Sequence, residues 1–334
     1  MKKKKINPTE VSKLRVYAGI DGGGTKTDAA IISEFGDILA TARGGATNPH
    51  SVSPQEAVME LLRILDLLFS SNINFLLNCE IICLGMSGIS ENQERQWITS
   101  HVQDYMKNKK DALDSNSNSC AVWVVSEGEI ALMASLGQPH GLLSISGTGS
   151  IVYGITPEGE VCRAGGWGHL LGDEGSGYRI GQRTLQAVMQ SYDGVLPPTA
   201  LTLLVQQELH VKHAPDLKQL VYQPDWTKSS TASIARLTIE AASAGDEAAR
   251  VLLIDEARQL AETAKALIRQ RVSFHTAPMA LSGSIFLNSP LFRDTFVQQL
   301  AEMYESQQIV CLEDAPAPAV GAALLARQKC HLAE

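Results

Sequence analysis

The sequence predicts an α/β protein of two similar lobes, with a ligand cleft between them at the carboxyl ends of the strands. A pattern of strand, glycine-rich turn, strand, turn and strand opens near residue 16 and returns near residue 140. Each copy then continues into helical patterns that alternate with further strands. A supersecondary pattern that occurs twice in one chain indicates an internal duplication.

In the first copy, the residues around position 53 predict the start of a helix. Ser53 suits the N-cap, Pro54 the first helical position, and Glu56 completes a capping box ahead of leucines at helical spacing. A second helix is predicted at residues 92–106, and the apolar strand at 121–125 is predicted to be central and parallel. The strands of this copy are predicted at residues 16–20, 29–32, 38–42, 80–84 and 121–125.

The second copy is longer and richer in helical patterns. Its strands are predicted at residues 142–145, 151–155, 161–163, 280–281 and 309–312. Its helices are predicted at residues 177–192, 199–208, 233–244, 246–271 and 290–304, with a last helix at 320–328.

Composition narrows the classes of protein. Hydrophobic residues make up 44% and charged residues 19%, as in globular proteins. The 28 Lys and Arg residues against 36 Asp and Glu residues give a net charge of −8, which disfavours a nucleic-acid partner. No apolar run is long enough to span a membrane, and the lysine-rich N-terminus leads into polar residues, which predicts a flexible tail. Six cysteines without a C-x-x-C spacing predict reduced thiols in a cytoplasmic protein.

The strongest local motif is the turn Asp21-Gly-Gly-Gly-Thr-Lys-Thr27. Glycines let backbone N–H groups approach phosphate oxygens, so Gly23 and Gly24 are candidate nucleotide contacts, and the hydroxyl of Thr25 adds a donor. A carboxylate at a strand end suits a hydrated Mg²⁺ ion, so Asp21 is the candidate metal ligand. A plain glycine-rich hairpin is the alternative interpretation.

A second glycine turn, Ser146-Gly-Thr-Gly-Ser150, occupies the equivalent place in the second copy. Gly147, Thr148 and Gly149 are therefore candidate phosphate contacts as well. Two such turns placed symmetrically across a cleft form a clamp for a polyphosphate, which favours a nucleotide ligand.

The two turns, their spacing, and the block Gly165-Gly-Trp-Gly-His-Leu-Leu-Gly-Asp-Glu-Gly-Ser-Gly177 resemble the N-acetylglucosamine kinase branch of the actin-like sugar kinase and ATPase superfamily. The same branch contains the ATPase activators of benzoyl-CoA reductase and 2-hydroxyacyl-CoA dehydratase. The resemblance extends from about Val16 to Ala326. It implies two actin-like (ribonuclease H-like) lobes, ATP and Mg²⁺ as cofactors, and a homodimer. The implied domains are a tail at 1–14, a first lobe at 15–125 completed by a helix at 316–330, and a second lobe at 126–315.

The resemblance also assigns ligand contacts position by position. A loop-capping role for Asp173 and ordinary core packing for Trp167 are the alternatives, and His169 is expected to be structural because no second metal ligand lies at a suitable spacing. The implied sugar contacts are Asn48, Gly165, Gly166, Trp167 and Asp173, and the implied adenosine contacts are Gly245 and Gly283.

One position departs from the family pattern. After the strand at 121–125 the family usually has Asn-Asp, whose aspartate is the general base, whereas this sequence has Ser126-Glu127. Glu127 keeps a carboxylate there on a longer side chain. Because phosphoryl transfer depends mainly on placement and charge stabilisation, a longer base can work where the pocket accommodates it.

The expected activity is phosphorylation of N-acetylglucosamine at its 6-hydroxyl by ATP, with Glu127 as base. N-acetylmuramic acid and glucosamine remain open as substrates. Two other functions also remain open. One is a nucleotide-driven activator ATPase with a cysteine-held cluster, for which Cys120 and Cys162 are the candidates near the lobes. The other is a sugar sensor without turnover.

Overall fold

The computed structural model describes residues 14–86, 89, 92–113, 119–301, 303–304, 308–312 and 315–333, with side chains up to residue 330. The chain forms two compact units, Met1–His140 with Asp314–Glu334, and Gly141–Glu313. Most of the predicted N-terminal tail lies outside the described residues.

The described residues of the first unit form a five-stranded mixed sheet and five helices. The sheet order is β3-β2-β1-β4-β5, in which β1, β2 and β3 are antiparallel neighbours and β4 and β5 continue parallel to β1. Its strands are β1 (Val16–Gly22), β2 (Thr27–Ser33), β3 (Ile38–Gly44), β4 (Cys79–Met86) and β5 (Ala121–Val125). Its helices are α1 (Pro54–Ser70), α2 (Ile73–Leu77), α3 (Asn92–Asp111), α4 (Glu127–Leu136) and α13 (Pro318–Ala333).

Helix α1 confirms the capping prediction. The Ser53 hydroxyl accepts from the Glu56 amide, and the Glu56 carboxylate accepts from the Ser53 amide over 3.0 Å. The reciprocal pair satisfies two donors that would otherwise have no partner inside the helix. The apolar face of α1, including Leu61 and Leu65, is buried against the sheet.

Strand β5 corrects one expectation. It is parallel to β4, as predicted, but it lies at an edge of the sheet and not in the centre. Its continuous apolar sequence has a different cause, because helices cover both faces. Val122 packs in the core on the side of α3, while Val125 packs on the side of α13.

The boundary between the units also differs from the predicted one at residues 125 and 126. Helix α4 belongs to the first unit because it packs against α13, which in turn lies on β1. Two glycines permit these close approaches. A Cβ at Gly19 would collide with the backbone of Ala319, and one at Gly321 would collide with the carbonyl oxygen of Ile130.

The described residues of the second unit form the second sheet and eight α-helices. Its sheet order is β10-β9-β6-β7-β8, in which β6, β7 and β8 are antiparallel neighbours and β9 and β10 continue parallel to β6. Its strands are β6 (Gly141–Ser146), β7 (Ser150–Ile155), β8 (Val161–Gly165), β9 (Met279–Ser282) and β10 (Ile309–Cys311). Its helices are α5 (Gly177–Tyr192), α6 (Ala200–Glu208), α7 (Leu217–Val221), α8 (Lys228–Ser233), α9 (Ala235–Ser243), α10 (Glu247–Ile268), α11 (Ser284–Asn288) and α12 (Pro290–Leu300).

The two sheets confirm the predicted duplication. Strands β1 to β5 and β6 to β10 have the same order and the same directions, with three antiparallel strands followed by two parallel ones. In each unit a glycine turn joins the first two strands of its sheet. Within the described residues, no helix is long and apolar enough to cross a membrane.

Candidate active site

In the first unit, strand register brings two carboxylates to the same edge of the sheet. Asp21 at the end of β1 is paired with Gly85 of β4, which is paired with Val125 at the end of β5. Helix α4 then begins at Glu127. Gly85 places no side chain in this row, and a Cβ there would collide with Ile130 of α4. The carboxyl ends of these parallel strands therefore present Asp21 and Glu127 as near neighbours.

Asp21 is a carboxylate under electrostatic strain. Burial, then the charge of Asp28, then that of Glu127 raise the pKa of Asp21 to about 6, against a weaker lowering by Lys26. Asp28 is itself neutralised, with Lys26 Nζ at 3.2 Å and Arg43 Nε at 2.5 Å. No described residue donates a hydrogen bond to Asp21. A partly buried carboxylate beside another carboxylate fits a cation site.

The first glycine turn is tied to the loop that follows β3. The Gly23 amide donates to the Lys26 carbonyl over 3.1 Å, and the Gly23 carbonyl accepts from the amides of Thr47 at 3.1 Å and Asn48 at 3.3 Å. Gly24 has little room for a side chain, because a Cβ would lie 2.7 Å from Ser51 Oγ. The structure thus brings Asn48 to the turn that contains Gly23 and Gly24, with Thr25 exposed at its tip.

Asn48 is almost fully buried, with 9% of its surface exposed. Its Oδ1 accepts from the amide of His50 over 2.8 Å, which fixes the orientation of the side-chain amide. No described hydrogen bond uses Nδ2. This group is a positioned donor of the kind that holds a ligand oxygen.

In the second unit, the second glycine turn is joined to the start of α5. The Gly147 amide donates to Gly149, and the carbonyls of Gly147 and Thr148 accept from Gly177 at 2.7 Å and from Tyr178 at 3.2 Å. The strands on either side add side-chain bonds, from Ser146 Oγ to the Gly175 carbonyl at 2.6 Å and from Ser150 Oγ to the Glu174 carbonyl at 2.8 Å. The turn and the block ending at Gly177 are therefore joined by a network of hydrogen bonds.

Asp173 lies at the centre of this hydrogen-bond network. It is 3% exposed and adopts φ = 67°, a left-handed backbone that costs energy for a residue with a Cβ. Its Oδ2 accepts from Lys228 Nζ at 2.6 Å. Both side chains lie against Gly149, where a Cβ would be 3.2 Å from Asp173 Oδ2 and 3.3 Å from Lys228 Nζ.

The segment Gly165 to Trp167 turns sharply at the end of β8. Gly165 and Gly166 have φ of 72° and 70°, which glycine adopts without strain. Trp167 is 62% exposed, so it does not have a core-packing role. The guanidinium carbon of Arg163 lies 4.2 Å from the centroid of its ring, a cation–π contact.

A buried ion pair holds the end of the block in place. Glu256 of α10 is 2% exposed, and its Oε2 accepts from the Gly175 amide over 2.8 Å. Its Oε1 accepts from Arg183 Nη1 over 3.0 Å. Because both oxygens are used, Glu256 fixes the loop that carries Asp173.

The two expected adenosine contacts lie in different surroundings. Gly283, with φ = 101°, packs so closely on the second turn that a Cβ would collide with the Ser146 carbonyl. Gly245 precedes helix α10, whose N-cap Asp246 accepts from the amides of Ala249 and Ala200. The described hydrogen bonds next to Gly245 are those of a helix N-terminus.

A model of the BadF/BadG/BcrA/BcrD ATPase family matches residues 18–326. The chain belongs to this family. The resemblance found in the sequence and the actin-like fold class are both confirmed.

Curated relatives of this BadF/BadG/BcrA/BcrD family member are named as kinases. It is 30% identical over 319 residues to an N-acetylmuramic acid/N-acetylglucosamine kinase of Clostridium acetobutylicum, covering 95% of this chain and 100% of the relative. It is 30% identical over 323 residues to an N-acetyl-D-glucosamine kinase of Dictyostelium discoideum, covering 93% and 97%. A solved structure from Chromobacterium violaceum, provisionally named as an N-acetylglucosamine kinase, is 26% identical with a TM-score of 0.61, covering 94% and 99%.

The residues of this ATPase-family chain fit a nucleotide with a hydrated divalent cation. Within the described part of the chain, no group of three or more His, Cys, Asp or Glu residues could enclose a metal. Mg²⁺ is commonly held by one or two carboxylates together with water and substrate phosphates, which matches the situation of Asp21. His169 packs its ring against Tyr178 at 4.7 Å, in agreement with a structural role.

Sequence reasoning missed three residues of the second unit's site. Lys228 is 55 positions from Asp173, Glu256 is 81 positions from Gly175, and Arg163 precedes the recognised block. No local spacing signals the first two contacts, since tertiary packing makes them. Arg163 could have been noticed from its place four residues before Trp167.

Proposed function

We propose that this protein is an ATP-dependent kinase for an amino sugar, with N-acetylglucosamine as substrate and the 6-hydroxyl as acceptor. The observation that carries the proposal is the row Asp21, Gly85, Val125, which places Asp21 and Glu127 together where the parallel strands end. A metal-binding carboxylate beside a proton acceptor is the pair that a sugar kinase needs.

The reaction assigns one role to each side chain. The hydroxyl oxygen of the sugar attacks the γ-phosphorus, the bond from that phosphorus to the ADP oxygen breaks, and Glu127 accepts the hydroxyl proton. Asp21 would hold Mg²⁺, which neutralises charge on the phosphates when it is bound. The two glycine turns, Gly23–Thr25 and Gly147–Gly149, would bind the phosphate oxygens through N–H groups other than those of Gly23 and Gly147, whose amides donate within their own turns.

The proposed sugar contacts are the residues that the sequence indicated. Asn48 offers Nδ2 as a fixed donor, and Asp173 keeps Oδ1 for a sugar hydroxyl, since Lys228 donates to Oδ2. The exposed ring of Trp167 supplies an apolar face for the pyranose or its N-acetyl group, beside the backbone of Gly165 and Gly166. The names of the curated relatives support an amino sugar as the substrate.

A second substrate is favoured by Arg163. Its guanidinium lies over Trp167, and no described carboxylate forms an ion pair with it. A cation beside the proposed sugar platform suits an acidic substituent, and the lactyl carboxylate of N-acetylmuramic acid is one. Arg163→Met should therefore lower kcat/KM for N-acetylmuramic acid about tenfold while leaving that for N-acetylglucosamine nearly unchanged. Equal losses of kcat/KM for both sugars would contradict the proposal that Arg163 recognises N-acetylmuramic acid.

The decisive experiment offers ATP and Mg²⁺ with N-acetylglucosamine, N-acetylmuramic acid and glucosamine in parallel. ADP release is followed by a coupled assay, and mass spectrometry identifies the phosphorylated sugar. We expect ADP and sugar 6-phosphate in equal amounts. If no sugar phosphate forms from any of the three, the kinase proposal is wrong.

The same assay separates the other two functions. An activator ATPase would release ADP without sugar phosphate and would need cysteines able to hold a cluster, but Cys120 and Cys162 are buried at 7% and 8% exposure. A sensor would bind sugar without turnover. We also propose a cytoplasmic homodimer. Light scattering coupled to size-exclusion chromatography would test the dimer.

A further inference from the structure

Lys228 is the feature of the second unit that the proposed reaction has not used. It opens helix α8, far in sequence from either glycine turn, yet its ammonium group lies within 3.3 Å of the position that a Cβ of Gly149 would take. Its side chain is 32% exposed, so the charge is partly shielded and still reachable by a ligand.

The ion pair with Asp173 holds this ammonium in one place. The distance from Nζ to Oδ2 is 2.6 Å, and Asp173 cannot easily move, because it is buried and its loop is fixed through Glu256 and Ser146. An ammonium has three N–H donors, of which this contact uses one. The remaining donors are available at the surface of the turn.

The turn itself presents space for an anion at this point. Gly147 has no atom within 4 Å of where a Cβ would be, and Thr148 is exposed. None of the three turn residues has a positive φ, so the glycines matter here because they leave room rather than because of backbone freedom. Backbone N–H groups beside a fixed ammonium form a strong site for phosphate oxygens.

We propose that Lys228 is a phosphate-binding residue, whose ammonium, held by Asp173 beside Gly149, donates a hydrogen bond to a phosphate oxygen of the bound nucleotide. The inference deepens the proposed function, because the same carboxylate is assigned to the sugar. Asp173 thereby joins the sugar site to the phosphate site through a single ion pair.

The test compares nucleotide with nucleoside. Binding of the non-hydrolysable ATP analogue AMPPNP with Mg²⁺, and of adenosine, is measured by calorimetry in the wild-type protein and in Lys228→Met. We expect the AMPPNP affinity to fall by about 10- to 100-fold, since a charge-assisted hydrogen bond is lost, while the adenosine affinity stays within about twofold. Lys212→Met, at an exposed lysine of the same unit, is the matched control and should leave both affinities unchanged.

Lys228→Arg guards against a folding defect in the methionine variant. It keeps the charge on a wider group, so its AMPPNP affinity should fall between those of the wild type and Lys228→Met. Asp173→Asn adds a double-mutant cycle. It should weaken AMPPNP in the presence of Lys228 and have little further effect in Lys228→Met, because the two residues act through one contact.

Two results would overturn the proposal. One is an unchanged AMPPNP affinity in Lys228→Met, and the other is an equal loss of AMPPNP and adenosine, which would make Lys228 a purely structural brace for Asp173. Both affinities are measured without sugar. If the wild-type protein makes no sugar phosphate but Lys228→Met loses AMPPNP selectively, the kinase proposal fails and the role of Lys228 stands.

Discussion

The two units share one topology and differ in the ionic partners of their carboxylates. In the first unit, Asp21 lies near Glu127 and Asp28 and has no described ion pair, and its pKa is raised to about 6 by burial and by those neighbours. In the second unit, the buried carboxylates are matched, Asp173 by Lys228 and Glu256 by Arg183. The same duplicated framework therefore leaves Asp21 without a described ion pair in one copy and holds buried carboxylates in ion pairs in the other.

This difference indicates that the two copies suit ligands of opposite charge. A carboxylate without a described ion pair, such as Asp21, suits a divalent cation, whereas an ammonium beside a glycine turn suits an anion. A kinase needs both, and a duplication supplies two similar scaffolds that can diverge in charge without changing their strands.

Glu127→Gln is expected to have the largest effect. It keeps the size of the side chain but removes the proton acceptor, so kcat should fall on the order of 10²–10⁴-fold with little change in sugar affinity. Steady-state kinetics and sugar titrations measure the two quantities separately. The control is Glu129→Gln, because Glu129 accepts hydrogen bonds from Ser126 as a helix cap and Gln can still accept them. Full activity in Glu127→Gln would contradict the assignment of Glu127 as the general base. Asp173 would then be the next carboxylate to test.

Glu256→Ala should cause the largest loss of stability. It leaves the buried Gly175 amide without its acceptor and takes from Arg183 one of its two carboxylate partners, which should cost about 2–4 kcal/mol. Asp255→Ala removes the other carboxylate that pairs with Arg183, at 3.1 Å and partly exposed, and should cost about 0–1 kcal/mol. Urea unfolding of the two variants checks the contrast. Equal losses would contradict the matched-pair description of the second unit.

Asp21→Asn should raise the stability of the protein, whereas Glu256→Ala lowers it. Without divalent metal, removing a desolvated charge next to Glu127 and Asp28 should stabilise the protein by about 1–2 kcal/mol at pH 7. With Mg²⁺ and ATP, the same variant should lose activity, with its Mg²⁺ affinity lower by about 10- to 100-fold. Thermal melts in EDTA and kinetics against Mg²⁺ concentration give both numbers. A destabilised Asp21→Asn variant in EDTA would show that Asp21 is a satisfied structural carboxylate.

Asp246→Ala is expected to have the smallest effect and to depend on pH. Burial alone raises the pKa of Asp246, but hydrogen bonds from Ala249, Ala200 and Thr199 outweigh it, so its pKa lies below the usual value. A lowered pKa means that the stabilisation, about 1 kcal/mol for a cap, is present at neutral pH and is lost as the pH falls below about 4. Melts of the variant and wild type from pH 3 to 7 should converge at the acid end, and Glu247→Ala, an exposed neighbour, should show no such trend.

Much of the fold could be predicted from local patterns. The cap at Ser53, the helix Gly177–Tyr192 and the duplicated strand pattern all follow from residue spacing, which reports local backbone preferences directly. The edge position of β5 could not, because an apolar strand reads the same wherever two helix layers cover it. The assignment of α4 to the first unit likewise depends on packing against α13, nearly two hundred residues away in the chain.

The sequence alone determined the family, the two glycine turns and the chemistry of the candidate residues, because those signals are local and depend on residue type. Only the tertiary structure decided which charges meet. The closeness of Asp21 to Glu127 comes from strand register through Gly85, and the partners of Asp173 and Gly175 come from helices that follow 55 and 81 positions later. Contacts between distant segments depend on the packing of the whole sheet and its helices, and no spacing along the chain encodes them.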